Sequence, residues 1–355
     1  MKIFHKPNLA LMTGVLFLTL ASIPVTLFSQ PMPQKEGRAV WISSTMFEDD
    51  EKEATQHLKE LLEKYDEIGI NNLFCFSSMM YQNQKKWDFL EILLKEAHKK
   101  NIKVHPIFCP YRKVKLEGEI KEHPEWLIRG KKGEIYFNLN MANPEAREYF
   151  KREIIQALKY DIDGIHLDGI RFPVNQGYSY DKATCDAFKK EFGDSPLDVH
   201  HDCGSMVWCE WIKWNANHVT TLVREIKEII DNSGKDVVLG VDVFPDGETA
   251  RVLIGQDWEL WAKGGLVDII CPMQYTNDLD VFRESVKRAV NAANRNCLVY
   301  PGIGIRSSHN TNTPEGVVQE VIIAREEGAD GVVFFFGSSL TDEFMDKLKS
   351  SVFNE

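Results

Sequence analysis

The segment Asp161-Ile162-Asp163-Gly164-Ile165-His166-Leu167-Asp168-Gly169-Ile170-Arg171-Phe172-Pro173 carries the residue types of acid–base chemistry at the end of an apolar run. Ile165 and Leu167 alternate with Gly164, His166 and Asp168, which puts the second set on one face of an extended chain. A carboxyl and an imidazole on one face, with Arg171 just beyond, can move protons or orient a polar ligand. The same pattern also suits a strand-end Asp168 that caps the next segment or pairs with Arg171. Asp242, in Gly240-Val241-Asp242-Val243-Phe244-Pro245, ends a second apolar run in the same way. Its other reading is a structural hydrogen bond or an ion pair with Arg171.

Glycoside hydrolysis uses two carboxyl groups: one protonates the leaving oxygen, the other attacks or activates water. On neighbouring strands, about 4.8 Å apart, two such groups can reach the roughly 5–5.5 Å separation of a retaining pair. That closeness would drive their pKa values apart, as acid and base roles require. Sugar recognition also needs ring faces and hydroxyl partners. Trp41, Trp126 and Tyr275 supply the first, and Asn140 and Gln274 the second. Trp208, Trp211 and Trp214, and again Trp258 and Trp261, recur at three-residue spacing and read as packed helix faces.

The residues also permit a metal-dependent hydrolase or deacetylase, with His166-x-Asp168 and His200-His201-Asp202 as ligand sources. The first strand, however, offers Trp41 and Ser43 where such barrels often place a His pair. The reading therefore assigns no metal and no cofactor.

These groups need a scaffold. Strand-like runs fall at 38–44, 72–77, 103–109, 164–168, 237–244, 267–273, 297–303 and 331–336. Helical patterns lie between and after them at 53–68, 87–100, 144–160, 206–231, 249–263, 280–293, 314–327 and 342–352. Asn143-Pro144 and Thr313-Pro314 are helix starts, each a capping side chain before proline at the first helical position. Eight strands alternating with eight helices predict a (β/α)8 TIM barrel. The rival doubly wound sheet lacks its Gly-rich phosphate turn after the first strand. Long connections follow the third strand (around 111–141) and the fourth (around 172–205). Both belong to the C-terminal face, where barrel active sites are built.

Residues 1–30 combine Lys2 and Lys6, an apolar run from Leu9 to Leu27 and small residues near Ser29, the pattern of a secretory signal peptide. An uncleaved anchor is the alternative; Pro24 and the Ser/Thr content weigh against it. Residues 31–355 then form a single exported domain, periplasmic or extracellular, with no stable membrane insertion after cleavage. The chain carries a net charge of −11, and without the two lysines of its first thirty residues it carries −13. Such a balance disfavours nucleic acid or an anionic membrane as partner and suits a neutral glycan. Of seven cysteines, Cys75, Cys109, Cys271 and Cys297 lie in apolar runs and read as small core residues. Cys185, Cys203 and Cys209 share one insertion, where two of the three can pair after export.

The ordered motifs resemble the glycosyl hydrolase-like 10 family. They are Gly37-Arg38-Ala39-Val40-Trp41-Ile42, His123-Pro124-Glu125-Trp126, Asn143-Pro144-Glu145-Ala146-Arg147, Asp163 through Asp168, Gln256-Asp257-Trp258 with Trp261, and Val267-Asp268 through Pro272-Met273-Gln274-Tyr275. The resemblance runs from about Gly37 to the last strand. It implies a secreted or envelope (β/α)8 glycosidase that cleaves an oligosaccharide, a polysaccharide or a cell-wall-type glycan. The fourth strand is also similar to the chitinase pattern, in which a glutamate two residues past the last aspartate is the proton donor; here that position is Ile170. Met273-Gln274-Tyr275 likewise resembles the chitinase motif that holds an N-acetyl group. Two alternatives therefore stay open: Asp168 and Tyr275 orient an acetamido sugar while the acid comes from elsewhere, or the barrel binds glycans without cleaving them.

Overall fold

Apolar runs as continuous as these can be buried on both faces only in a parallel sheet with helices outside and side chains filling the inside. The computed structural model describes residues 35–76, 86–110, 114–174, 177–198 and 205–354. The expected signal peptide at 1–30, together with His200, His201, Asp202 and Cys203, lies outside the described residues.

The strands are β1 (Gly37–Ser43), β2 (Asn72–Phe76), β3 (Lys103–Phe108), β4 (Leu127–Arg129), β5 (Ile135–Leu139) and β6 (Gly164–Leu167). They continue with β7 (Val238–Val243), β8 (Ile269–Pro272), β9 (Leu298–Val299), β10 (Gly302–Gly304) and β11 (Gly331–Phe335). The helices are α1 (Glu51–Glu67), α2 (Phe89–His98), α3 (Gly118–Glu122), α4 (Pro144–Ala157), α5 (Lys182–Phe192) and α6 (Met206–Asn232). After them come α7 (Gly247–Ile254), α8 (Trp258–Lys263), α9 (Leu279–Ala293), α10 (Pro314–Glu326) and α11 (Asp342–Ser351).

Nine strands form one parallel sheet in the order β10-β11-β1-β2-β3-β6-β7-β8-β9, and β4 pairs with β5 as a separate antiparallel hairpin. β9 and β10 are two halves of one barrel strand. Proline has no N–H for a ladder bond, so Pro301 interrupts it. Tyr300 N still donates to Ile270 O at 2.9 Å, and Val333 N to Pro301 O at 3.1 Å. The segment 298–304 thus bridges β8 and β11, and eight strand positions close the (β/α)8 barrel that the alternation predicts.

Glycines let the interior fill. A Cβ at Gly164 would run into the His105 ring, one at Gly240 into His166, and one at Gly302 into Trp41 at 2.9 Å. Each large inward side chain occupies the space that a neighbouring glycine leaves, the small–large fit a barrel core needs. Outside, Asn143 caps α4 by accepting from Glu145 N and Ala146 N, and Thr313 caps α10 by accepting from Gly316 N, each ahead of its proline.

The single helix expected over 249–263 is instead two, α7 and α8. Gly255 adopts a left-handed φ of 69°, and its N–H returns to Arg251 O at 3.2 Å, which ends α7. The apolar spacing continues across this break, so periodicity alone does not reveal it. The long insertions contain α3, the β4–β5 hairpin and α5. Trp211 is buried against Trp214, Phe188, Tyr178 and Tyr180, and Trp258 and Trp261 are buried too, as packed faces. Cys185 is a buried free thiol that desolvation pushes up to about 11, and Cys203, one partner considered for a bridge, lies outside the described residues.

Candidate active site

β6 leaves the sheet at Leu167, and Asp168 is held by its N–H donating to Phe108 O at 3.0 Å. Gly169 then takes a φ of 62°, a left-handed turn that costs other residues strain. Ile170 and Phe172 go into the core beyond that turn, leaving the Asp168 side chain half-buried at the strand tip. The β6–β7 register pairs His166 with Gly240 and Leu167 with Val241. One further step sets Asp168 opposite Asp242, and parallel neighbours in register point to the same face.

Asp242 is only 2% exposed. Trp41 Nε1, reaching from β1, donates to Asp242 Oδ2 at 3.2 Å, and His166 Nε2 lies 2.7 Å from Asp242 Oδ1. His166 stacks on Phe74 with ring centroids 4.2 Å apart. Burial disfavours charge on both partners. It pulls the imidazole down to about 3 against the opposing pull of Asp168, and it pushes the Asp242 carboxyl well above the usual range against the Trp41 hydrogen bond. The Oδ1–Nε2 contact is thus a buried hydrogen bond, with burial working against charge on either partner.

Asp168 is raised to about 6, first by desolvation and then by Asp242, with Arg171 and His166 opposing. A carboxyl poised near neutrality at a strand tip can donate a proton and take it back. The Arg171 guanidinium lies 5.0 Å over the Phe244 ring, and its charge reaches Asp168. Tyr275, half-buried one turn past β8, stacks on Phe335 at 5.0 Å and meets Trp41 edge-on at 6.4 Å. Burial and the two carboxyls raise its phenol well above the ordinary value.

The structure therefore brings together Asp168, Asp242, His166, Trp41, Arg171 and Tyr275. Gln274 is 2% exposed, and neither amide atom has a partner among the described residues. Trp126 and Asn140, expected against substrate, are instead built into the loop scaffold. Trp126 is 3% exposed, lies flat on His123 at 4.3 Å and donates to Glu145 Oε2 at 3.0 Å. The Asn140 amide donates to Asp181 and Thr184, both at 3.0 Å, and accepts from Ala142 N at 3.0 Å. Asn140 thus joins the two insertions, and Trp126 ties the first insertion to the start of α4.

Sequence reading missed Phe335 and Phe336, half-buried rings that extend the Tyr275 stack. An aromatic run at the tip of the last strand was the available signal. It also missed Cys271, whose sulfur lies with His166 and Asp242 ligand atoms within 4.8 Å of one another. By donor type this buried N, O, S set suits a zinc-like ion. Burial raises the free thiol well above its ordinary value, so an ion binding there would have to displace its proton. His123, Glu125 and Glu145 make a second, more exposed grouping in the loop scaffold.

The (β/α)8 barrel carries Asp168 and Asp242 at the tips of adjacent strands, where barrel enzymes place their reacting groups. The family described as glycosyl hydrolase-like 10 matches residues 36–312, and the chain belongs to it. A curated relative, glycosyl hydrolase YngK of Bacillus subtilis (strain 168), is 24% identical over 326 residues, which cover 78% of this chain. The chain spans only 61% of that relative's length. Among solved structures, the PgaB (BpsB) glycoside hydrolase domain from Bordetella bronchiseptica superposes with a TM-score of 0.73 at 10% identity, over 89% of this chain and 99% of that one. The catalytic domain of a β-amylase from Paenibacillus polymyxa gives a TM-score of 0.63 at 11% identity, covering 90% and 99%. A β-galactosidase from the psychrophilic Marinomonas ef1 gives 0.66 at 13%, covering 88% and 58%. At such identities these likenesses show the fold.

Proposed function

We propose that this protein is an exported glycosidase that hydrolyses glycosidic bonds in a polysaccharide or cell-wall-type glycan, with Asp168 as the proton-transferring carboxyl. The observation that carries the reading is Asp168 itself: half-buried at a barrel strand tip, raised to about 6, and opposite a second carboxyl. Family membership supports the same class of chemistry. Asp168 gives its proton to the leaving glycosidic oxygen as the bond to the anomeric carbon breaks, and it recovers one from the water that completes hydrolysis. Asp242 is the second carboxyl of the pair. Its burial and its contacts with Trp41 and His166 suit it to sustain the protonated form of Asp168 more than to attack a sugar directly. Tyr275, Phe335 and Phe336 supply ring faces for a pyranose, and Gln274 and Arg171 supply polar contacts. Residues 1–30 direct export, to the periplasm or outside the cell.

A panel of polysaccharides and cell-wall glycans, incubated with wild type and Asp168→Asn and read by reducing-end release, tests this. Wild type cleaves at least one member, and the variant loses about 10²- to 10⁴-fold, the scale of a general acid. Equal cleavage by the variant removes Asp168 from the mechanism. Retention of a glycan by wild type without cleavage favours a binding barrel instead.

A further inference from the structure

The break between α7 and α8 lies where two carboxyl-bearing strand tips meet. Gln256, fully buried, donates from Nε2 to Asp242 O at 3.3 Å and accepts from Phe244 N at Oε1 at 2.8 Å. Its side chain thus clasps the backbone on both sides of Val243, where β7 leaves the ladder. Two residues earlier, Ile254 O accepts from Phe172 N at 2.9 Å, which ties down the segment that follows Asp168 and Gly169. Gly255 between them has the left-handed φ of 69°, and a Cβ there would meet Ala216 Cα, Phe172 and Val219, each at 3.4 Å.

We propose that Gln256, presented by the Ile254-Gly255-Gln256 break, is a positioning residue that fixes the end of β7, and with it the Asp242 carboxyl, relative to Asp168. A continuous helix would satisfy its own backbone and leave Asp242 O and Phe244 N, both at a strand end, without partners. A glutamine does what the ladder no longer can, because one planar amide offers a donor and an acceptor side by side. Neither contact touches a substrate. The effect passes through Asp242 and its contacts with Trp41 Nε1 and His166 Nε2.

The consequence for catalysis rests on the glycosidase reading, so the deciding measurement does not use activity. In full-length protein, the Trp41 indole N–H resonance reports the Asp242 carboxyl directly, and carbon-detected titration reports Asp168. Gln256→Leu, of similar volume, is expected to move the Trp41 resonance and to lower the Asp168 midpoint from about 6 toward the ordinary carboxylate range. Gln256→Glu keeps the acceptor for Phe244 N–H and should shift the midpoint by less. A folded Gln256→Leu variant with an unmoved Trp41 signal and midpoint overturns the proposal. If that variant does not fold, an unshifted midpoint in Gln256→Glu does so equally. A purely structural glutamine would lower the melting temperature and leave both signals in place. Where a cleavable glycan is in hand, the limb of the kcat profile that falls as pH rises should move with the midpoint while KM changes little. Failure of that arm alone, with both signals shifted, counts against the glycosidase reading and not against the positioning role.

Discussion

Trp41 Nε1 on β1 donates to Asp242 Oδ2 on β7 at 3.2 Å, a hydrogen bond across the barrel interior between residues 201 positions apart. The indole reaches that far because Gly302 leaves room for its outer ring. Phe74 and Phe335 meet it edge-on, with centroids 6.3 and 5.9 Å away. Trp41 therefore joins barrel packing to the chemistry of the buried carboxyl.

Trp41→Phe removes the donor and leaves Asp242 Oδ2 without it in a dry site, a loss of about 1–3 kcal/mol. The smaller ring also opens space beside Gly302, so the cost should exceed the hydrogen bond alone. A thermal melt should show a fall of several degrees, at about 2–4 °C per kcal/mol for a large domain. A melt matching wild type would show that the hydrogen bond contributes nothing to stability.

Asp168 makes an opposite prediction. Its folded pKa of about 6 lies above its ordinary value of 3.8 because ionisation is resisted in the fold. The stabilising contribution of its neutral form is complete below the ordinary value and is lost as pH rises through about 6. Asp168→Asn, which cannot ionise, should thus melt higher than wild type above that window and match it below about pH 4. The same variant loses cleavage, and wild-type kcat/KM should fall as pH rises through the Asp168 midpoint. A variant less stable than wild type at every pH would refute the raised midpoint.

The barrel, its eight strand positions and the capped starts of α4 and α10 were legible, because strand alternation, helix spacing and Asn-Pro or Thr-Pro pairs are local signals. Asp168 and Asp242 were legible as strand-tip acids for the same reason. Trp126 and Asn140 were not correctly legible as ligand groups. Whether a tryptophan or an asparagine faces a cleft or stitches loops depends on Glu145, Asp181 and Thr184, partners 19 to 44 residues away. The α7–α8 break was missed because its apolar spacing is continuous, while the hydrogen bonds that require it run to β7 and to the segment after β6.

Metal chemistry is separable from carboxyl chemistry by chelation. His166, Asp242 and Cys271 offer ligand atoms within 4.8 Å, but the Asp242 oxygens already contact Trp41 and His166. Activity should survive prolonged dialysis against a strong chelator, and Cys271→Ser should retain it. Loss on chelation that zinc restores would replace the acid–base reading with a metal-dependent one.

Tyr275 separates the remaining alternatives for the sugar. Its ring stacks on Phe335 at 5.0 Å, while its hydroxyl feels both Asp242 and Asp168. Tyr275→Phe keeps the stacking surface and removes only the hydroxyl, so the melting temperature should hardly change. If the hydroxyl contacts substrate beside the reacting acid, kcat/KM should drop by about 10- to 100-fold, the equivalent of about 1.4–2.8 kcal/mol. A drop confined to N-acetylated glycans identifies the partner as an acetamido group, in keeping with the chitinase-like Met273-Gln274-Tyr275 segment. An equal drop on all cleaved glycans identifies a hydroxyl or the leaving oxygen. Unchanged kinetics on every substrate would leave Tyr275 as a packing residue and return the orienting role to Arg171 and Gln274.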